Sequence, residues 1–380
     1  MKVLFVCSFK STSVGRSSYP HRIVQIEKFC RELGANTSLL FLGDLFFSTP
    51  VLIQPLSLPF VLRFIREFDV IHAGGSGSAY FFAWAKPLLK RDTLVVYDVH
   101  GDTFTESRLV SKGNLDFAGK FIAFQMRVSE YFGFGSASYF ITASRRLKQR
   151  LLYRNKRIKA ENIEVILNGT DLQTYSPLKN SFRSPQNGDL VVTYAGSFRP
   201  WQGTDNLIRA AEILANKNVQ FKLIGFGEND LSLKKEIRRR LGEKAILIDW
   251  LPKEELLVEL NKSDVLIIPA DGSNKKQSEN RVVTYATKLA EFLAIAKPVI
   301  VTRLDEGSEL VEKYDCGFVC DPNAESIANA IRKATETSRE VLARKGLNGR
   351  RCAEAELDMT SICTKYMSFL RRILEARSLK

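Results

Sequence analysis

The sequence predicts an α/β protein made of two parallel-sheet domains in tandem, and three observations carry that prediction. Short β-rich runs alternate with helical stretches along the whole chain, the pattern of parallel sheets covered by helices. The alternation breaks at the polar stretch 179-KNSFRSPQNGD-189, which reads as a linker, and then restarts. The length of 380 residues accommodates two domains, and 45% hydrophobic residues suit two packed cores. Each half therefore reads as a Rossmann-like domain.

In the first half the strands fall at 2–7, 37–42, 69–72, 93–98, 138–142 and 163–166, short runs rich in β-branched and aromatic residues. Helices fill 19–33, 77–90, 115–132 and 144–153. Phe117, Phe121, Phe124, Val128 and Phe132 recur at helical spacing, which reads first as core, with membrane contact as the other reading. The second half places strands at 190–195, 219–224, 245–249, 264–269, 298–302 and 317–320. Its helices fall at 204–216, 229–241, 253–262, 286–296, 307–313 and 323–335. The stretch 337–377 is helical with a break at 358–360. The expected domains are thus 1–180 and 181–355, with a C-terminal helix in 356–380 packing back on the first. Two such domains facing across a cleft would bring the carboxyl ends of both sheets to a nucleotide and a second substrate.

Composition narrows the function. The six cysteines are scattered and read as reduced thiols, and three histidines make a multi-His metal site a poor expectation. The opening MKVLFVCSFK has too short an apolar run for a signal peptide, so a cytoplasmic location is expected. Residues 45–64 are apolar, but Pro50, Pro55 and Pro59 interrupt them, and Gln54 and Arg63 add cost to a membrane span. An apolar loop or a helix lying on a membrane is the reading that survives. The net charge of +14 is uneven: residues 1–180 hold 24 Lys/Arg against 14 Asp/Glu, the remainder 32 against 28. Eight of those bases lie in 144-SRRLKQRLLYRNKRIK-159. A solvated helix face is their ordinary meaning; the excess makes an anionic membrane surface a candidate partner, peripheral on the inner face. No known nucleic-acid module is present, so nucleic acid is not an expected partner.

The chemistry gathers at strand ends. Gly196 follows a strand in 194-YAGSFRPWQGTDNLIRA-210, where glycine lets a ligand approach the backbone. Gly225 and Gly227 form a second such loop after the next strand. Lys288 and Glu291 share one face at the start of a helix otherwise built of Leu, Phe and Ala. A surface ion pair would explain them; so would a ligand at a helix N-terminus. In the first half, His100, Gly101 and Asp102 close a strand, as His72 closes another. The first glycine loop holds Gly15 and Arg16, and His21 reads as structural.

With these residues in view, the chain resembles glycosyltransferase family 4, retaining group 1 enzymes of the two-Rossmann GT-B fold. The matching pieces are ILNGTDLQTYSP (166–177), YAGSFRPWQGTDNLIRA, FKLIGFGE (221–228), LNKSDVLIIPA (260–270), KLAEFLAIAKPVIVT (288–302) and EGSELVEKYDCGFVCDP (306–322). They run in the family's order across about half the chain.

The resemblance implies transfer of a sugar, with retention, from a nucleoside diphosphate sugar to a hydroxyl of a glycan or lipid-linked acceptor, as in polysaccharide biosynthesis; the lack of an Asp-x-Asp pair makes metal-independent chemistry the expectation. It implies no separate cofactor, the nucleotide sugar being the donor substrate. Glu291 would accept hydrogen bonds from the ribose hydroxyls, which a two-oxygen carboxylate suits. Lys288 and the backbone around Thr287 would hold the diphosphate. Gly196, Ser197, Arg199 and Gln202 would line the donor site from one loop, Gly225 and Gly227 from the next. His100, with Lys288, would serve catalysis; Gly15, Arg16, His72 and Asp102 would lie on the acceptor side. Three positions depart from the family pattern. Ser197 and Gln202 replace its usual Arg and Lys, and Val283 replaces the first of two acids. A non-catalytic nucleotide- or glycan-binding member is therefore the alternative. No Asp-x-Asp pair for a nucleotide-bound metal occurs.

Overall fold

The computed structural model describes residues 1–14, 18–45, 51–101, 103, 107, 117–178, 188–198, 202–271 and 287–378. The chain divides into two compact units. The first comprises Met1–Asn168 with Met359–Lys380, the second Gly169–Val282 with Ala286–Asp358.

The first unit is built on six parallel strands: β1 (Lys2–Cys7), β2 (Asn36–Phe41), β3 (Val70–Gly74), β4 (Leu94–Val99), β5 (Tyr139–Thr142) and β6 (Ile163–Val165). Their order is β2-β1-β3-β4-β5-β6. The central strands read as continuous apolar runs because both sheet faces are covered. Helices Ser18–Glu32 and Met359–Ser378 cover one face, packing Ile23, Ile26, Tyr366 and Leu370 on Val3, Phe5 and Val96. Helices Leu58–Ile65, Gly75–Ala85 and Arg145–Arg154 cover the other, with Phe134 of helix Phe117–Ser136 against Tyr97.

The second unit repeats the scheme with β7 (Leu190–Ala195), β8 (Val219–Phe226), β9 (Ala245–Asp249), β10 (Val265–Ile268), β11 (Val299–Thr302) and β12 (Gly317–Cys320). Here the order is β12-β11-β10-β7-β8-β9, again all parallel. Strand direction of connection reverses between β7 and β10, and such a switch point opens a crevice at the carboxyl ends of the strands. In the first unit the reversal lies between β1 and β3 instead.

Four expectations need correction or placement. The chain passes between units at Asn168/Gly169, earlier than the 180/181 break, because the loop after β6 is tied into the second unit. There Arg350 donates to the carbonyls of Leu172 and Tyr175, and Leu178 N–H to Asn261. Most of the proposed linker, 179–187, lies outside the described residues. Of the apolar 45–64 stretch, Val51–Ser57 forms 3-10 turns and Leu58–Ile65 a helix packed in the first unit. Among the described residues no helix is long and apolar enough to cross a membrane. The aromatic stripe is not core: Phe121, Phe124 and Phe132 are exposed, while Ala123, Ser129 and Gly133 face inward. A Cβ on Gly133 would stand 2.9 Å from the Ala79 Cβ, so only small residues allow the two helices to approach this closely.

Candidate active site

The second unit assembles its site at the β7/β10 switch point. β7 leads directly into Gly196, whose φ of +147° is strained for any side chain. Its amide donates to the Ile224 carbonyl at 2.9 Å. A Cβ on Gly225 would stand 2.6 Å from the Gly196 carbonyl oxygen, so the two glycine loops are stacked backbone on backbone. Helix Thr287–Ala294 follows β10 in sequence, and its Lys288 crosses to the end of β7. Nζ of Lys288 lies 4.9 Å from the Tyr194 ring centre, and a Cβ on Gly196 would collide with its terminal atoms. The Tyr194 hydroxyl donates to the Ser197 carbonyl at 2.6 Å, fixing the turn. The result is a cation held over a bare backbone loop.

One helical turn further, half-buried Glu291 accepts a 2.9 Å hydrogen bond from the Tyr175 hydroxyl at Oε1. Among the described residues, none donates to its Oε2. Burial pushes this carboxyl up from its usual value, while the Tyr175 hydroxyl, Lys253 and Lys288 pull it down. Burial and the neighbouring carboxylate raise the Tyr175 phenol, so it stays a hydrogen-bond donor. Tyr175 is placed by its own loop: Asp171 accepts from the amides of Gln173 and Thr174, and the Asp171 carbonyl from the amide of Tyr175. Arg350 then clamps loop and helix together, donating from one nitrogen to Tyr175 O at 2.9 Å and Ala294 O at 2.8 Å.

Other sequence-predicted residues fall around this centre. Thr287 opens the helix and is half-buried, Ser197 is exposed, and Gln202 is half-buried ahead of the helix Thr204–Ile213. Gly227 follows β8, but its amide already donates to Asp230 at 2.7 Å, a helix cap rather than an open donor. Arg199 lies outside the described residues, as do Val283, Gly15, Arg16 and Asp102.

In the first unit the carboxyl end of β4 carries a different cluster. Asp98 and His100, two residues apart, sit on the same side of the chain as Leu94 and Val96, toward the helix Ser18–Glu32. Arg22 of that helix donates to Asp98 at 2.9 Å and to the carbonyls of Ile166 and Leu167 and the side chain of Asn168. His72 lies 3.5 Å from Asp98 through Nε2 and 2.8 Å from the Tyr366 hydroxyl through Nδ1. It is fully buried, and this corrects its expected acceptor-side place: it ties the C-terminal helix to the sheet. Burial would raise Asp98, but Arg22 and then His72 outweigh it and hold the carboxyl well below the usual range. Burial and then the Arg22 charge push half-buried His100 down to about 4, against the opposing pull of Asp98. Its imidazole is therefore neutral near pH 7.

Comparison with known proteins gives this geometry a family. The model described as glycosyl transferases group 1 matches residues 178–351, and that of glycosyltransferase family 4 matches 37–174. The chain belongs to the group 1 glycosyltransferases of family 4. The glycosyltransferase is 22% identical over 293 residues to WcaI of Escherichia coli (strain K12), whose name assigns it to colanic acid biosynthesis as a glycosyl transferase. That match spans 74% of this chain and 68% of its relative. Among solved structures, sucrose-phosphate synthase of Thermosynechococcus elongatus superposes with a TM-score of 0.76 at 15% identity, covering 99% of this chain and 100% of that one. Anabaena Alr3699/HepE, solved in complex with UDP-glucose, gives 0.72 at 20% identity, covering 98% and 100%. At such identities these likenesses speak for the fold, which is GT-B.

Sequence reasoning missed Tyr175, Arg350, Arg22 and Asp98. Tyr175 lay inside the quoted ILNGTDLQTYSP and Asp98 inside the strand that His100 closes, so both had a local signal. Neither arginine stands in any motif.

Proposed function

We propose that this glycosyltransferase moves a sugar, with retention, from a nucleoside diphosphate sugar to a hydroxyl of a glycan or lipid-linked acceptor. The observation that carries the reading is the pairing, on one helix, of Lys288 over the Gly196 backbone with Glu291 beside it. A diphosphate needs a cation and a loop without side chains; a ribose needs a carboxylate with acceptor capacity to spare. Tyr175 occupies one Glu291 oxygen and leaves the other to a hydroxyl. The UDP-glucose bound in the Anabaena structure of the same fold supports this class of donor.

In the reaction the bond from the anomeric carbon to the phosphate oxygen breaks as the acceptor oxygen bonds to that carbon on the same face. The acceptor proton passes to the departing phosphate oxygen, so no strong protein base is needed. Lys288 takes up the charge that develops on the diphosphate, in the role a metal plays in Asp-x-Asp enzymes. The neutral imidazole of His100 orients a sugar hydroxyl, a positioning task that a charged ring would serve less well.

The departures at Ser197, Gln202 and Val283 favour one second reading, a member that binds nucleotide without turnover. A thermal-shift screen of nucleoside diphosphates and their sugars tests the first step, since a ligand bound to the folded state alone stabilises it. The stabilising donor is then incubated with acceptor glycans and EDTA, and the anomeric configuration of the product is read by NMR. A retained configuration with EDTA present is the expected result. Binding without hydrolysis or transfer selects the second reading; no stabilisation by any nucleotide overturns both.

A further inference from the structure

We propose that the helical layer on one face of the first unit's sheet docks on an anionic lipid bilayer. The inference stands on that surface and does not depend on the transfer reading.

Helix Phe117–Ser136 is amphipathic in the unusual sense. Its inward face is small and polar, with Ala123, Gln125, Ser129 and Gly133 buried, and its outward face carries Phe121, Phe124, Tyr131 and Phe132. Phe124 is 56% exposed. The neighbouring elements continue the surface. Trp84 at the end of helix Gly75–Ala85 is 56% exposed, and Phe60 of helix Leu58–Ile65 is 73% exposed. Ring and hydrogen-bond contacts join these pieces. The Tyr80 ring touches both Trp84 and Phe132, and its hydroxyl reaches the Leu52 carbonyl. Lys86 reaches the Gly135 carbonyl, and Arg66 that of Leu88. Scattered exposed apolar residues are normal, but a run of large aromatics across adjoining helices marks an interaction surface.

Charge selects the occupant. Residues 51–91 and 117–159, which supply this layer together with strands β3 and β5, hold 15 Lys/Arg against 3 Asp/Glu. The two helices on the opposite face, Ser18–Glu32 and Met359–Ser378, hold 7 against 3. A basic surface with Trp, Tyr and Phe projecting from it suits the headgroup region of an anionic membrane, where aromatic rings settle at the interface and bases meet lipid charge. A second copy of this chain would bring the same positive layer against itself, which disfavours a dimer here.

The test is co-sedimentation of the full chain with vesicles of phosphatidylcholine alone and of phosphatidylcholine with phosphatidylglycerol, at low and high salt. The wild type should pellet with the anionic vesicles, less with the neutral ones, and less again as salt rises. The triple variant Phe60→Ser, Trp84→Ser, Phe124→Ser should lose about tenfold or more in vesicle affinity while keeping its melting temperature, since all three side chains face solvent. Failure of the wild type to bind either vesicle, or unchanged binding by the triple variant, overturns the proposal. So does a concentration-dependent dimer in light scattering that the triple variant abolishes.

Discussion

Asp98 and Glu291 stand at comparable places, each on an element bordering the carboxyl ends of its own parallel sheet, and burial acts on both. Their surroundings differ. Asp98 is 1% exposed and meets Arg22 through both oxygens and His72 through one. Glu291 has a single phenol on one oxygen. The first carboxyl is driven down and the second up. A carboxylate saturated by protein donors has been spent on structure; one left with an open oxygen beside a lysine and a glycine loop suits the proposed nucleotide site. The donors around each carboxyl, more than its burial, set the direction.

The sharpest way to break this contrast is to remove the partner of each. Arg22→Ala leaves the Asp98 charge buried with its main counter-ion gone, and should lower unfolding free energy by about 3–5 kcal/mol, read from a urea titration. A loss no larger than that of an exposed ion pair would put Asp98 in the same class as Glu291. Glu291→Gln should do the reverse: melting temperature nearly unchanged, with nucleoside diphosphate affinity weakened by about 1.5–3 kcal/mol, measured calorimetrically. Lys288→Ala sharpens the assignment further. It should weaken a nucleoside diphosphate more than the monophosphate or the nucleoside, and equal losses for all three would make the lysine structural.

At His100 the effect is one of pH rather than of ligand. Its folded value of about 4 lies below the usual 6.5, so its contribution to stability is complete above pH 6.5. As pH falls from there toward 4, the unfolded chain takes up a proton that the folded one refuses, and the contribution drains away. The difference between wild type and His100→Gln in urea midpoint should therefore change between pH 7 and pH 5 and level off below 4. A constant difference would mean that Arg22 and Asp98 do not govern the imidazole.

Much of this was legible in the sequence. Parallel strands buried on both faces are written as short unbroken apolar runs, which is why 2–7, 190–195 and 245–249 were placed to the residue. Lys288 and Glu291 stood out because charge interrupts an apolar helix. What stayed hidden was long-range pairing: Arg22 finds Asp98 76 residues away, Tyr175 finds Glu291 116 away, and neither pair shares a motif. The stripe in Phe117–Ser136 failed for another reason. Periodicity reports that a helix has two faces, and the larger residues are inward only when the neighbour has room for them. Against Ala79 and Ser76 there was room for Gly133 and Ser129.

The return of the last helix to the first unit has a consequence for synthesis. Gly169–Asp358 is an insertion within that unit, and Thr170 and Asp358 pair in a parallel bridge that keeps its two ends side by side. Met359, Ile362, Tyr366, Phe369 and Leu370 share one face of the sheet with Ile23, Ile26 and Phe29 of the helix Ser18–Glu32. During synthesis, then, the unit that is begun first cannot close until residues 359–378 have followed the whole of the inserted one. A chain cut before residue 359 would hold the inserted unit whole, attached to one whose sheet lacks the helix Met359–Ser378 on one face.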